Sequence, residues 1–210
     1  MKFVVPSKIS QDFKKLVEDM KKHKLNLMEL HYKDVRETEF KGIKVTSIFG
    51  NLRDYKYLLF LSEELGVDYL LFNVRKEDLR KLRRVEEEAK KHGVKIAIEN
   101  NQDFRTPSDV YYALSDTDIG FVLNTSNARD YSRNIEGFIK MLRDRIVGIH
   151  LSDWYQGIGG LPYSLGESAF LDPVLKEFKK GSVVLDLDPR YSVEDVVISI
   201  DKLKQRIRKL

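Results

Sequence analysis

VKIAIEN (residues 94–100) is the stretch on which the fold of this chain turns. It is a run of small and branched apolar residues that closes on a carboxylate, Glu99. Three later runs have the same form: IGFVLN ends at Asn124, IVGIH at His150 and SVVLD at Asp186. Short apolar runs of this kind read as strands buried on both faces, the pattern of a parallel sheet covered by helices. The polar residue at the C-terminal end of each then falls at one mouth of a closed parallel barrel, the end at which such barrels place their chemistry. A carboxylate, an amide, an imidazole and a second carboxylate are also the ligand types of a divalent-metal site.

Outward from these runs, eight strand-like segments can be counted, at residues 2–6, 25–32, 43–49, 67–74, 94–99, 119–124, 146–151 and 183–187. Amphipathic helical patterns separate most of them, at 8–23, 54–65, 76–92, 106–114, 131–144, 169–180 and 192–210. In the first of these, Ile9, Phe13, Leu16, Val17 and Met20 form one apolar stripe with lysines opposite. Thr106-Pro107 and Ser192 suit helix starts, and Gly66, Gly93 and Gly181 suit helix ends. Only the connection at 33–42 looks too short for a full helix. The alternation predicts an α/β protein, a single compact (β/α)8 TIM barrel over residues 1–210 with a shortened connection between strands 2 and 3. Residue parity agrees with closure. Ala97, Gly120, Gly148 and Ser182 share the face of the terminal polar groups, whereas Ile96, Ile98, Phe121, Leu123, Val147, Ile149, Val183 and Leu185 lie on the opposite one. Bulky residues are therefore expected against the helices and small ones in a narrow interior.

Composition bounds the function. The chain has 210 residues, 42% hydrophobic and 33% charged, a globular profile with a heavily charged surface. No apolar run approaches a membrane span. MKFVVPSKIS starts as a strand and soon gives way to charge, unlike a secretory signal. With no cysteine there is neither a disulfide framework nor a thiolate metal site, and the expected compartment is the cytoplasm. The 37 basic residues are interleaved with 33 acidic ones, as in DLRKLRRVEEEAKKH. This is the pattern of solvated helix faces, so a nucleic-acid partner is disfavoured. The same composition suits a thermophile.

By position and parity, Glu29, Asn73, Glu99, Asn124, His150 and Asp186 gather at the predicted mouth. Burying several ionisable groups at one point is costly without a metal or a ligand, so the cluster points to a binding site.

The motifs also resemble a known family. VKIAIENN, IGFVLNTSNA, IVGIHLSDW, the loop LPYSLGES, VVLDLDP and, earlier, LNLMEL are similar to segments of the xylose isomerase-like barrel superfamily, which includes sugar isomerases, sugar epimerases and endonuclease IV-type DNA repair enzymes. The similarity covers nearly the whole chain and is most specific from residue 94 onward. It implies a divalent ion (Mn, Mg, Co or Zn) held by Glu99, Asn124, His150 and Asp186. Asn124 stands where the family has Asp, Asp186 where it has Glu, Asn127 where it often has His, and Gly160 near a zinc-ligating His of the endonucleases. The resemblance further implies an isomerase or epimerase of a small sugar or hydroxy-ketone. In it Glu99 and Asp186 act as base and acid through an enediolate. Glu29, Asn73, Asn127, Asp153 and Trp154 are expected to contact substrate, with Asp153 also suited to orient an imidazole, and Arg75 or Arg133 to meet an anionic group. One alternative is a degenerate barrel that binds a small molecule without turnover. The other, an endonuclease, is poorly served by four histidines, of which His23 and His92 fall on helix ends. No membrane partner is expected, and association into a homo-oligomer is left open.

Overall fold

The computed structural model describes residues 1–34, 40, 42–178 and 181–210. The predicted apolar runs form parallel strands: β1 (Lys2–Pro6), β2 (Leu27–His31), β3 (Lys44–Gly50), β4 (Tyr69–Phe72), β5 (Ile96–Glu99), β6 (Gly120–Asn124) and β7 (Ile146–Leu151). A short antiparallel hairpin follows, β8 (Asp153–Tyr155) and β9 (Ile158–Leu161), before the last barrel strand, β10 (Ser182–Leu185). The eight parallel strands close in sequential order, and β10 pairs with β1 through Lys2↔Ser182 and Val4↔Val184. The expected TIM barrel is therefore present.

The helices are α1 (Phe13–Lys22), α2 (Tyr55–Leu65), α3 (Leu79–Lys91), α4 (Pro107–Leu114), α5 (Thr125–Tyr131), α6 (Ile135–Leu142), α7 (Asp172–Glu177) and α8 (Val193–Ile207). Thr106 and Ser192 cap α4 and α8 as their sequences suggest, each in a reciprocal box with the Asp three residues on. Gly66 ends α2 at a φ of +59°. Three boundaries differ from expectation. The first helix starts at Phe13 rather than residue 8, because the Asp12 side chain accepts from the Lys15 N–H and Ser10 is extended. Ser7–Ile9 form a separate 3-10 turn. The pattern at 131–144 is broken where Arg133 takes a φ of +53° and Asn134 caps α6. The pattern at 169–180 is a 3-10 turn, Ser168–Leu171, followed by the short α7. In the connection between β2 and β3, Tyr32–Asp34 form a 3-10 turn. The rest of that predicted short link, residues 35–39 and 41, lies outside the described residues, as do 179 and 180.

The main core lies between barrel and helices, where Val5, Met28, Ile48, Leu70, Ile98, Phe121 and Ile149 meet helix residues such as Leu16, Leu59, Val85 and Phe138. A smaller core fills the barrel: Tyr69, Leu71, Ala97 and Val122, with Phe49 and Val147 against them. Two expectations are corrected here. The interior is not uniformly small, since Tyr69, Leu71 and Phe49 fill it from the β3–β4 side. The small residues make room for them: a Cβ on Gly148 would strike the Tyr69 hydroxyl, and one on Gly120 would lie 2.8 Å from Val147. Val147, expected to face the helices, joins the interior because the β6–β7 register shifts between Phe121 and Val122. No helix among the described residues is long and apolar enough to cross a membrane.

Candidate active site at the barrel mouth

The C-terminal strand ends bring five of the predicted residues together. His150, at the end of β7, is the centre and is 2% exposed. Its Nε2 lies 3.1 and 3.2 Å from the two carboxylate oxygens of Glu29, on β2. Its Nδ1 lies 3.3 Å from Glu99 Oε2, at the end of β5, and 4.0 Å from Asp186 Oδ2, just past β10. Ser47, on β3, donates its hydroxyl to Glu29 at 2.8 Å. Burial alone would lower the His150 pKa. The charge and hydrogen bond of Glu29, the hydrogen bond to Glu99 and the charge of Asp186 overcome it and hold the imidazole well above its usual value. With carboxylates at both ring nitrogens, the imidazolium is the form that can donate to both.

Asn124 links the two outer carboxylates. Its Nδ2 donates to Glu99 Oε2 at 3.3 Å and to Asp186 Oδ2 at 3.2 Å. Its Oδ1 caps α5, accepting from the Asn127 N–H at 3.1 Å and the Ser126 hydroxyl at 3.0 Å. The orientation is decided locally, since a backbone N–H can only donate and the amide oxygen must face it. Asn100 completes the support: its side chain accepts from the Asn124 N–H and donates to the Asn124 carbonyl.

The sequence gives little sign of Lys8, which joins the cluster from the turn after β1. Its ammonium lies 2.5 Å from Asp186 Oδ1, and its side chain is 32% exposed. Ser7 pins that turn to the end of β2, donating to Asp34 at 2.5 Å and accepting from the His31 N–H at 2.8 Å. Burial would lower the Lys8 pKa, but the Asp186 charge and hydrogen bond, with the charges of Glu99 and Glu29, raise it. Asp186 answers in kind. Burial would raise its pKa, but the charges of Lys8 and His150 and hydrogen bonds from Lys8 and Asn124 bring it below the ordinary carboxylate value.

The remaining predicted residues divide. Asn73 is exposed at the rim, where its amide oxygen accepts from Asn101 at 3.1 Å. Asn127 donates to the Asn100 carbonyl at 2.9 Å. Both line a polar cavity of about 310 Å³ together with Glu99, Arg75, Asn101, Gln102, Asp103 and Tyr131. A second cavity, about 290 Å³, lies on the other side of Asn73 against His31, Phe49 and Asn51. A further cavity, about 650 Å³, is on the outer flank between α6 and α7 and contains none of the mouth residues. Arg133 lines a neighbouring flank cavity rather than the mouth.

Asp153 and Trp154, expected to contact substrate, are engaged in contacts with the loop that follows β7 and with α5. Asp153 is fully buried and accepts from the N–H groups of Trp154, Ser164 and Gly166 and from the Ser168 hydroxyl, so it organises the LPYSLGES loop and does not orient His150. Trp154 is 8% exposed, donates to Asp130 at 2.5 Å and is covered by the Arg129 guanidinium, 5.1 Å from its ring.

The expected four-ligand metal set does not fit these donors. Asn124 was to offer its carbonyl oxygen, yet the helix cap takes that oxygen and the amide N–H groups face the carboxylates. Lys8 occupies the other Asp186 oxygen, and a cation is repelled by ammonium and amide donors alike. Among the described residues, no group of three or more His, Asp or Glu is arranged to hold a metal ion.

No protein-family model matches the chain, and no curated protein matches it in sequence. Solved structures do match. The probable 3-DHS dehydratase AsbF of Bacillus anthracis aligns with a TM-score of 0.80 at 12% identity, over 97% of this chain and 98% of that one. The 3-keto-D-glucoside 4-epimerase YcjR of E. coli aligns at 0.74 and 15% identity, over 98% and 99%. The D-psicose 3-epimerase of Clostridium cellulolyticum H10 aligns at 0.72 and 14%, over 100% and 99%. The chain shares the barrel fold of these neighbours over nearly its whole length. At such identities the likeness carries no further.

Proposed function

We propose that the chain is an isomerase or epimerase of a small sugar or related hydroxy-ketone, working by proton transfer between Asp186 and Glu99. The observation that carries this reading is the convergence of the two carboxylates on one amide, 3.2 and 3.3 Å from Asn124 Nδ2, with Glu99 opening onto the polar cavity. The cavity is at the small end of the range of about 300–1,000 Å³ for small-molecule sites. Its amides and Arg75 suit the hydroxyls of a polar substrate.

Asp186, held ionised beside Lys8, takes the proton from the carbon next to the substrate carbonyl. The electron pair moves onto the carbonyl oxygen to form an enediolate. Glu99, as the general acid with a proton drawn from solvent, returns a proton to the opposite face in an epimerase, or to the adjacent carbon in an isomerase, where the neighbouring hydroxyl passes its proton to the former carbonyl oxygen. The carboxylate pair then re-equilibrates with solvent. His150 keeps the two groups apart and neutralises charge. General acid–base assistance of this kind is worth about 10²–10⁴-fold.

The test is solvent-deuterium incorporation by NMR across a panel of ketoses and their epimers. Incorporation by the wild type, lost in both Glu99→Gln and Asp186→Asn, supports the reading. Saturable sugar binding with no incorporation would replace it with a second reading, a barrel that binds without turnover. That reading is favoured by the closure of Glu29 and His150, 3% and 2% exposed. An endonuclease is not proposed, since His23 and His92 sit at the C-terminal ends of α1 and α3.

A further inference from the structure

We propose that Lys8 supplies from within the chain the positive charge that the acidic mouth requires, so that the site is complete without a divalent ion, and that its ammonium faces the substrate oxygen on which negative charge develops. The second clause rests on the proposed function; the first stands on the geometry alone.

Glu29, Glu99 and Asp186 converge around one imidazole and one amide. Three carboxylates gathered in a largely water-excluded pocket need more than one opposing charge. Lys8 is placed to provide it, 2.5 Å from Asp186 Oδ1, on the side of that carboxylate away from the oxygen that takes the Asn124 N–H. The placement is built rather than incidental. Ser7, 1% exposed, ties the turn to the His31 N–H and to Asp34, and Ile9 is buried on its other side. The Lys8 side chain keeps about a third of its surface exposed, in contrast to the nearly sealed Glu29 and His150. Asn124 completes the exclusion of a cation, because its oxygen is committed to α5 and its two N–H groups point to Glu99 and Asp186. An ammonium held here stabilises an enediolate oxygen electrostatically, as preorganised donors do elsewhere.

The experiment is calorimetric titration of the chelator-treated wild type with Mn²⁺, Mg²⁺, Co²⁺ and Zn²⁺, alongside melting curves with and without EDTA, repeated on Lys8→Met and Lys8→Arg. The wild type is expected to take up no ion at the mouth and to melt at the same temperature in EDTA. Lys8→Met is expected to melt earlier and to be partly rescued by a divalent ion, whereas Lys8→Arg stays near the wild type. Stoichiometric ion binding by the wild type, abolished by Glu99→Gln, would overturn the proposal. So would a Lys8→Met protein that melts like the wild type. These readouts need no substrate, so a failed search for turnover counts against the proposed function and leaves the charge assignment to be decided separately. Where a substrate is found, turnover that survives EDTA and falls at least tenfold in Lys8→Met supports the second clause, and turnover lost in EDTA refutes it.

Discussion

Replacing Asn124 by Asp isolates the part of the site that most departs from a metal centre. The substitution is nearly isosteric and leaves the cap of α5 intact, because an aspartate oxygen accepts from the Asn127 N–H and the Ser126 hydroxyl as the amide oxygen does. What changes is the other edge. Two N–H donors, 3.3 Å from Glu99 and 3.2 Å from Asp186, become an acceptor facing two acceptors. If the new group stayed ionised, Coulomb repulsion at 3.2 Å would be on the order of 5 kcal/mol per neighbour at an effective dielectric of about 20. Taking up a proton is cheaper. Holding an aspartic acid neutral at about pH 7, three units above its ordinary pKa of about 3.9, costs about 4 kcal/mol. The protonated form regains only one of the two donated bonds, and a hydrogen bond to a charged group is worth about 1.5–3 kcal/mol.

The destabilisation is therefore expected to be on the order of 5.5–7 kcal/mol near neutral pH, falling by about 1.4 kcal/mol for each unit of acidification. The sign follows from linkage. An acid whose pKa rises on folding binds more protons folded than unfolded, so its penalty is small below about pH 4 and grows as pH rises towards the folded value. Urea denaturation of variant and wild type, compared at matched pH between about 5 and 8, measures the difference directly. A penalty independent of pH, or a variant as stable as the wild type at the alkaline end, would refute the assignment of the amide nitrogen to the carboxylates.

Three other perturbations have definite outcomes. Because the His150 pKa is raised on folding, its stabilisation is fully present below the unfolded value of about 6.5 and is lost as pH rises through the folded value; a His150→Gln series of melting curves should lack that alkaline decline. Gly148→Ala should cost about 1–3 kcal/mol by overpacking against the Tyr69 hydroxyl, and adding Tyr69→Phe, which removes that atom, should recover part of it in thermal unfolding. Asp153→Ala strands the N–H groups of Trp154 and Gly166 and the Ser168 hydroxyl, while the Ser164 N–H keeps Ser168 Oγ, and should destabilise the protein by on the order of 3–5 kcal/mol while leaving small-molecule binding per folded molecule unchanged in an equilibrium binding assay.

The barrel was legible because its signals are local and repeated. Each strand is a short apolar run, and each of the caps at Thr106, Ser192 and Gly66 is read from a residue or two. The failures fall where a single residue overrides a periodic pattern. Asp12 and the extended Ser10 cut the first helix short, and Arg133 in the left-handed region splits another. The bulge beside Val122 turns Val147 inward against its parity. Glu29, Glu99, Asn124, His150 and Asp186 could be found because strand ends and parity suffice to place them. Asp153 and Trp154 follow the same strand closely in sequence, yet the hairpin after Leu151 carries them into loop contacts that only the fold reveals.

Lys8 and the orientation of Asn124 were hidden for different reasons. Lys8 is one of 37 basic residues, and the apolar stripe from Ile9 to Met20 made it look like the solvated face of a helix. Its role depends on Ser7 folding the chain into a turn and aiming the side chain across the mouth. Asn124 was visible as a residue type, but an amide has an accepting end and a donating end. Which one meets the carboxylates is settled by α5, whose first turn presents the Asn127 N–H to the amide oxygen. A seven-residue helix thus determines the sign of the partial charge at the centre of the mouth. The same side chain with its oxygen inward would complete a cation site; with its nitrogen inward it leaves that charge to be supplied by the lysine.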